Sequence, residues 1–541
     1  MSMIKRCIVV CFFVFVVILN SIAQDLPAII RPSPEAATLG KYGEIPVSPY
    51  TGTPNVNIPL YTIKDGDITV PISLSYHAGG IKVEEEAPWT GLGWSLMAGG
   101  SITRSIRGLD DFKTPYVGYL YNPYLPDPLE DGTPYQDFDG PLTTAQDDGQ
   151  PSITRTPYYL SKNGKDVDYR EWIDAMIYDW ESDLYYFNVN DISDKFVFDL
   201  QGKVVLMKQQ NLSLQLSANK ATWSLTDEKG YTYTFGLPQI SYNGNDEIVT
   251  AWYLTQIQSP NGIAVDFEYS HYQPGANLND FLVKAIPSYF ESKMDGGLPG
   301  NDCGNLLGDA FINYNNYQEV YLRKIKFRNG YIEFLRNSDF PDMEPRKDLL
   351  GAEQLSKIRI YEQISTDGAA ALLKEYTFDY DYFVSGGDVS GYQNKFSANT
   401  EFDADKRGKR LKLVSITENG RNGTHKPPYV FDYDESVLLP PKASFSRDFW
   451  GYSNGKNNPL LVAEYQVREK NENGIEQLYY FFGADRTSDG EAMKAATLKR
   501  ITYPTGGYTN FTYHVNEYSN FAEPEYENTS YGPFYFDQGK S

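Results

Sequence analysis

Leu254-Thr255-Gln256-Ile257-Gln258-Ser259-Pro260-Asn261-Gly262, running on into Val265-Asp266-Phe267-Glu268-Tyr269, is the stretch that decides the fold. Val265, Phe267 and Tyr269 alternate with Asp266 and Glu268, the period of a strand with one buried face. Ser259-Pro260-Asn261-Gly262 is turn chemistry that tolerates positive φ. The same pattern returns, position for position, at Leu498-Lys499-Arg500-Ile501-Thr502-Tyr503-Pro504-Thr505-Gly506-Gly507, leading to Phe511-Thr512-Tyr513. Looser copies run from Leu322 to Phe334 around Asn329-Gly330 and from Trp223 to Phe235 around Lys229-Gly230. Each is a strand, a turn and a returning strand. A series of such hairpins from Leu184 onward predicts a mainly β fold: one long antiparallel sheet of successive hairpins that winds or curls, since an open sheet of many strands rarely stays flat.

Upstream, Val70, Ile72, Leu74 and Tyr76 alternate with Pro71, Ser73, Ser75 and His77. The pattern predicts a strand, and Ala78-Gly79-Gly80 predicts a turn into Ile81-Lys82-Val83-Glu84, making a hairpin. Prolines between Leu26 and Pro59 predict irregular or edge structure there. The segment from Trp89 to Arg104 sets Gly91, Gly93, Gly99 and Gly100 around Trp89 and Trp94. Those glycines fit a sheet corner where backbone passes close to a bulky ring. Residues 109–170 are rich in Asp, Pro, Gly and Tyr without sustained periodicity and read as an insertion. Trp172, Ile173, Met176, Ile177 and Trp180 share a helical face, so one short helix is predicted there.

Composition supports sheet over helix: 44 Tyr, 29 Phe and 7 Trp stand with 45 Gly and 32 Pro. Tyr at period two along strands reads as packing before it reads as sugar stacking. Lys5 and Arg6, the apolar run Cys7 to Leu19, and small Ser21 and Ala23 form a secretory signal, with cleavage expected after Ala23. The run is too short to span a bilayer, which takes roughly 20 helical residues, and no similar stretch follows, so no membrane span is expected in the mature chain. The protein is expected to be extracellular or in the outer cell envelope, the periplasm being an alternative. Cys7 and Cys11 leave with the signal and Cys303 stays as the only thiol, so core burial rather than disulfides must hold the chain together. A formal net charge of −23 makes nucleic acid and anionic membranes poor partners.

Motifs for chemistry are weak. Gly451-Tyr452-Ser453-Asn454-Gly455 has the spacing of a hydrolase nucleophile elbow, which needs a strand before the serine and a helix after it. Asn454-Gly455-Lys456-Asn457-Asn458-Pro459 is turn chemistry instead. His77, His271, His425 and His514 form no ligand pair, which argues against a zinc site. Asp403 to Gly408 begins like a calcium loop, but Arg407 and Val414 stand where oxygen ligands are needed, so it reads as a solvated turn. The glycines around Trp94 lack the Lys and Ser or Thr of a phosphate-binding loop. A carboxylate pair of the glycosidase kind is defined by spatial separation, on which sequence spacing is silent. No cofactor, metal or catalytic residue is assigned.

Pro34 to Gly43, Pro71 to His77, Gly91-Leu92-Gly93-Trp94-Ser95-Leu96 and Gly100-Ser101-Ile102-Thr103-Arg104 resemble the opening region of large secreted Rhs/YD-repeat proteins of Bacteroidota. Phe449-Trp450-Gly451-Tyr452-Ser453-Asn454-Gly455-Lys456 and Leu498 to Gly507 resemble segments that precede the repeats in those proteins. More distantly, the G-x-G-W-S-L stretch with its nearby Arg is similar to the N-terminal region of Tc-toxin B components. The resemblance implies a β-sheet shell, with Gly91, Gly93, Trp94, Gly99, Gly100, Arg104, Trp450, Gly451, Gly506 and Gly507 as its structural signature. Runs of G-x-x-x-R-Y-x-Y-D units and a D-P-x-G core signature do not occur, so the chain looks like the front portion of such a protein or a truncated reading frame. Toxicity, autoproteolysis and cargo enclosure do not transfer.

The sequence therefore divides into a signal peptide (1–23), an N-terminal β module with the glycine and tryptophan corner (24–108), an acidic insertion (109–170) and a hairpin-rich scaffold (171–541). The expected role is structural and interactive, with a protein partner and no catalysis. The alternatives are a carbohydrate-binding envelope protein that uses exposed aromatics and, behind it, a secreted hydrolase.

Overall fold

The computed structural model describes residues 53–113, 118–121, 144–147, 150–153, 179, 181–190, 192–199, 201–243, 246–270, 282–284, 288–291, 310–313, 316–363, 370–386, 404–421, 423–458, 461, 463, 465–470, 476–481 and 483–515. The signal, most of the insertion and the helix expected over Trp172 to Trp180 lie outside them. Two antiparallel sheets organise most of the described residues, and three separate two-stranded hairpins stand beside them. The smaller has three strands, β1 (Val56–Asp65), β2 (Ile68–Tyr76) and β3 (Trp94–Met97), in that order. The larger joins nineteen strands, beginning with β4 (Gly100–Ser105).

The larger sheet divides at the long strand Asp246–Gln258. One edge of that strand pairs along its length with Thr232–Asn243. The other edge carries β4 at Ala251 to Tyr253 and Ala264–Ser270 at Gln256 to Gln258. From β4 the sheet runs on through Leu184–Val189, Ile192–Phe198 and Val204–Leu206. From Ala264–Ser270 it runs through Tyr321–Phe327, Gly330–Arg336, Leu355–Gln363, Ala370–Val384, Lys409–Gly420, Tyr429–Tyr433, Leu498–Thr502 and Tyr508–Asn510.

The hairpins read from sequence are in place. Gly262 and Gly506 have φ of 80° and 84°, the left-handed residue that follows a type I turn in a three-residue hairpin loop. In both, two backbone bonds close the loop: Gly262 N–H to Ser259 O (3.0 Å) with Ser259 N–H to Ile263 O (2.8 Å), and Gly506 N–H to Tyr503 O (2.8 Å) with Tyr503 N–H to Gly507 O (2.8 Å). Pro260 and Pro504 sit where a fixed φ helps the turn. The same closure recurs at Asp227 with Gly230 and at Asp199 with Gly202. In the last hairpin the return strand is Tyr508–Asn510, a few residues earlier than Phe511 to Tyr513.

The hairpin expected between Val70–Tyr76 and Ile81–Glu84 does not form. β2 is a strand, but its neighbours are β1 and β3, and Ile81 and Val83 are buried in irregular chain. Period two identified a strand without identifying its partner, and Ile81 and Val83 alternate because a packed loop, not a pleat, buries them. β1 is an edge strand and Pro59 stands at its register shift, as a residue without an N–H requires. Asp405 to Gly408, read as part of a turn, belong to a one-turn helix, Ala404–Gly408.

The chain passes from the small sheet into the large one between Met97 and Gly100. The two sheets share a core that runs from Val56 to Ile501. The turn of the β1–β2 hairpin docks on two turns of the large sheet. Asp65 accepts from the Arg328 N–H (2.8 Å) and pairs with its guanidinium, and Asn261 Nδ2 donates to Asp67 (2.8 Å). No helix among the described residues is long and apolar enough to cross a membrane.

Candidate functional site: the glycine–tryptophan corner and the Trp450 turn

Trp94 begins β3 and is fully buried. Its ring lies 5.2 Å from Tyr76 and 4.7 Å from Phe431 between centroids, and its Nε1–H donates to the Tyr433 hydroxyl (2.8 Å). That hydroxyl donates in turn to Leu413 O (2.7 Å). An indole in a core needs such a partner for its one polar atom. Gly91 and Gly93 have φ of 96° and 77°, and both are crowded: a Cβ on Gly91 would meet the Leu413 backbone nitrogen at 2.9 Å, and one on Gly93 the Tyr76 ring at 2.6 Å. Backbone therefore passes directly over the Lys409–Gly420 strand, where Leu92 N–H donates to Leu411 O (2.8 Å). A Cβ on Gly100 would meet the carbonyl oxygen of Asn188 at 2.7 Å, whereas one on Gly99 would have ordinary room beside Phe267.

The irregular segment 78–92 is largely buried and lies outside the sheets apart from an isolated bridge between Lys82 and Tyr452, so its carbonyls need donors from elsewhere. Two buried arginines supply several of them, and a buried lysine holds the Glu86 side chain. Arg346 donates to Ala87 O (2.9 Å) and Pro88 O (3.4 Å) and holds Asp348 through two bonds (2.9 and 2.8 Å). Arg410 donates to Val83 O (2.6 Å), Glu85 O (3.4 Å) and Pro440 O (3.2 Å). Lys442 reaches Glu86 (2.5 Å) and Asp348 O (2.9 Å). Burial pulls Arg410 down to about 10 despite Glu86, Glu85 and Asp348, and it pulls Lys442 below its ordinary value. Burial alone would raise Asp348, yet the charge and hydrogen bonds of Arg346 hold it below the usual carboxylate range. Sequence reasoning missed this group. The only visible signal is the run Glu84-Glu85-Glu86 beside an apolar stretch, which implies cations from elsewhere.

Trp450 and Gly451 lie in a turn built on Asp448. The buried Asp448 carboxylate accepts from Trp450 N–H (2.9 Å), Tyr452 N–H (2.9 Å) and the Ser488 hydroxyl (2.7 Å). Gly451 has φ of 91°, and its carbonyl accepts from Val83 N–H (2.9 Å), tying the turn to segment 78–92. Phe449 and Trp450 point outward, 54% and 64% exposed. Ser453 is 3% exposed, bridges to Arg447, and is followed by no helix through residue 458. Asn454 Nδ2 donates to Asp485 O (2.9 Å) and Thr487 O (3.2 Å), so this stretch is fixed by backbone caps. The strand, serine, helix geometry of an elbow is not formed.

Arg104, on β4, is buried and stands apart from the corner. It pairs with Asp110 (2.9 Å) and Asp183 (3.5 Å) under Phe112 and Trp252. Gly506 and Gly507 belong to their hairpin turn, with open space beside Gly506. The structure thus brings Gly91, Gly93, Trp94 and Gly451 onto one connected segment and leaves Arg104, Gly506 and Gly507 elsewhere. Among the described residues no group of three or more His, Cys, Asp or Glu could hold a metal ion.

No family model matches the sequence. A search of curated proteins returns no match either. Among solved structures, the chain is similar to the crystal structure of TcdB2-TccC3-Cdc42 (12% identity, 71% of this chain and 16% of that one, TM-score 0.32). It is also similar to the Tc holotoxin pore of Photorhabdus luminescens (13% identity, 81% and 19%, TM-score 0.32). A third is the N-terminal domain of effector protein SpvB from Salmonella typhimurium strain LT2 (13% identity, 68% and 98%, TM-score 0.28). The chain spans less than a fifth of either Tc chain. At these TM-scores the likeness fixes neither fold nor activity.

Proposed function

We propose that this chain is an exported structural and interaction protein, the opening segment of an Rhs/YD-repeat-like shell that engages a protein partner and has no catalytic centre of its own. One observation carries the reading: the side chains of the corner that bears the resemblance are spent on the fold. Trp94 fills the core, Gly91 and Gly93 admit backbone, Arg104 pairs with Asp110 and the buried Asp183, and Arg346 and Arg410 donate to carbonyls of segment 78–92. A polar group so engaged is not free to move a proton or hold a substrate. The signal over residues 1–23 supports export to the outside or the outer envelope.

The test is an activity panel of ester, peptide and glycoside substrates run on the purified chain and on Ser453→Ala. Both proteins should show only background turnover and the same melting temperature. Turnover lost in Ser453→Ala with the fold intact sinks the reading.

A second reading, carbohydrate binding, is favoured by one feature: Trp450 and Phe449 are held outward by a rigid turn. Rigid aromatic faces are what sugar rings stack on. On a glycan array, Trp450→Ala separates the two readings, since its exposed ring can be removed without touching the Asp448 bonds. The shell reading expects no glycan signal from either protein. A signal in the wild type that falls at least tenfold in Trp450→Ala gives the surface to sugar.

A further inference from the structure

Asp111 and Asp183 lie 72 positions apart, on the segments that lead into and out of residues 114–178, and their carboxylates cross-link the two backbones. Asp183 N–H donates to Asp111 Oδ1 (3.0 Å) and Asp111 N–H to Asp183 Oδ2 (3.3 Å). Arg107 N–H donates to Asp183 Oδ1 (2.7 Å). The Tyr185 hydroxyl (3.0 Å) and the Ser182 hydroxyl (3.5 Å) face Asp111 Oδ2. Both carboxylates are buried, and among the described residues the one buried cation in contact is Arg104, which pairs with Asp183 and which Asp110 also claims. Among the described residues, other charges nearby include the exposed pair Arg107 and Glu181 (2.9 Å), Asp179, Lys113, and Lys220, whose Nζ sits 4.8 Å over the Phe112 ring.

We propose that Asp111 and Asp183 form a pH-sensitive clasp between residues 105–113 and 179–185, closed while the pair shares one proton and loosened when both are ionised. One arginine facing three carboxylates leaves a surplus of buried negative charge, and like charges this close do not both ionise readily. The two side chains differ in where a proton fits. Each oxygen of Asp183 faces a backbone N–H, which cannot turn round, so a proton there would oppose a donor. Asp111 Oδ2 faces two hydroxyls, which rotate and can accept. The shared proton therefore belongs on Asp111 Oδ2.

The electrostatics agree that both groups are raised, but they put the higher value on Asp183, where the donor geometry opposes a proton. Burial pushes both groups up, to about 6 for Asp111 and about 8 for Asp183, with Asp110 adding at the first and Asp111 at the second, against the pull of Arg104. In so close a pair the two values belong to the pair together. Since both lie above the ordinary carboxylate range, the clasp is firmest in acid and loses stability as pH rises, the last step falling near pH 8.

Hydrogen exchange on the full chain tests this, with rates normalised at each pH to those of an unstructured chain. Between pH 6 and 9, protection of amides 105–113 and 181–189 should fall about a hundredfold, a factor of about ten for each pH unit below the step near pH 8, and level off above it. Amides 355–363 and 370–384 should not follow. Asp111→Asn mimics the protonated side chain, with Oδ1 accepting from Asp183 and Nδ2 donating to the hydroxyls, and should flatten the profile. Asp183→Asn sets an amide against an N–H and should weaken protection at every pH. A wild-type profile that is flat, or that changes equally in both regions, overturns the clasp. So does an Asp111→Asn variant that keeps the hundredfold change.

Discussion

Replacing Trp94 with alanine should lower the free energy of unfolding by about 3 to 5 kcal/mol, the cost of emptying a core site of an indole. The ring touches Tyr76 of β2 and Phe431 of the large sheet, so the loss falls on the contact that joins the two sheets. Trp94→Phe divides the effect. It keeps a ring but loses the Nε1–H bond to Tyr433, whose hydroxyl still donates to Leu413 O, so the part due to the lost hydrogen bond should be about 1 kcal/mol. The glycines give a second control. Gly91→Ala and Gly262→Ala both force an L residue to positive φ, but only at Gly91 would the new methyl meet backbone, 2.9 Å away. Gly262→Ala should cost about 1 kcal/mol and Gly91→Ala clearly more. Urea unfolding midpoints at constant m measure all four. If Trp94→Ala costs under about 1 kcal/mol, the corner is not part of the core.

What could be read in advance was local. Ser259-Pro260-Asn261-Gly262 and Tyr503-Pro504-Thr505-Gly506 carry their turn geometry within four residues, so both hairpins could be placed from sequence. The alternation of Val70 to Tyr76 showed a strand, but β3, its neighbour after Trp94, lies beyond a segment that looks like a return strand and is a loop. Choice of partner depends on which faces meet, and periodicity does not encode that. The site followed the same division. The glycines and Trp94 stood out because four glycines around two tryptophans suit no regular element. Arg346, Arg410 and Lys442 did not, because the contacts that tie them to segment 78–92 span 258 to 356 positions. The Asp111 and Asp183 pair was hidden for that reason too.

Arg346→Met should destabilise the protein by about 3 to 5 kcal/mol, the usual cost of removing one member of a buried ion pair. The side chain is 1% exposed and its partner Asp348 is fully buried. Without the arginine, Asp348 keeps Leu411 N–H (2.9 Å) but loses both guanidinium bonds, and Ala87 O, Pro88 O and Glu353 O lose a donor. The double variant Arg346→Met, Asp348→Leu shows which loss matters. If the arginine serves the carboxylate, an apolar pair should restore most of the stability, as such replacements often do. If it serves the carbonyls of segment 78–92, the double variant should stay about 1 to 3 kcal/mol below wild type, the cost of leaving Ala87 O bare, since Pro88 O keeps the Gly91 N–H (3.0 Å). The second outcome is expected, because Arg410 and Lys442 are spent on the same segment. The pH dependence supplies an independent sign. In the wild type Asp348 is held below its ordinary range, so its contribution is present at neutral pH and is lost only as pH falls through that lowered value. In Arg346→Met the same carboxylate is buried without its main partner and should titrate higher than normal, so the variant should gain stability as pH falls from 7 towards 4. Parallel pH profiles for the two proteins would show that Arg346 does not set the charge state of Asp348.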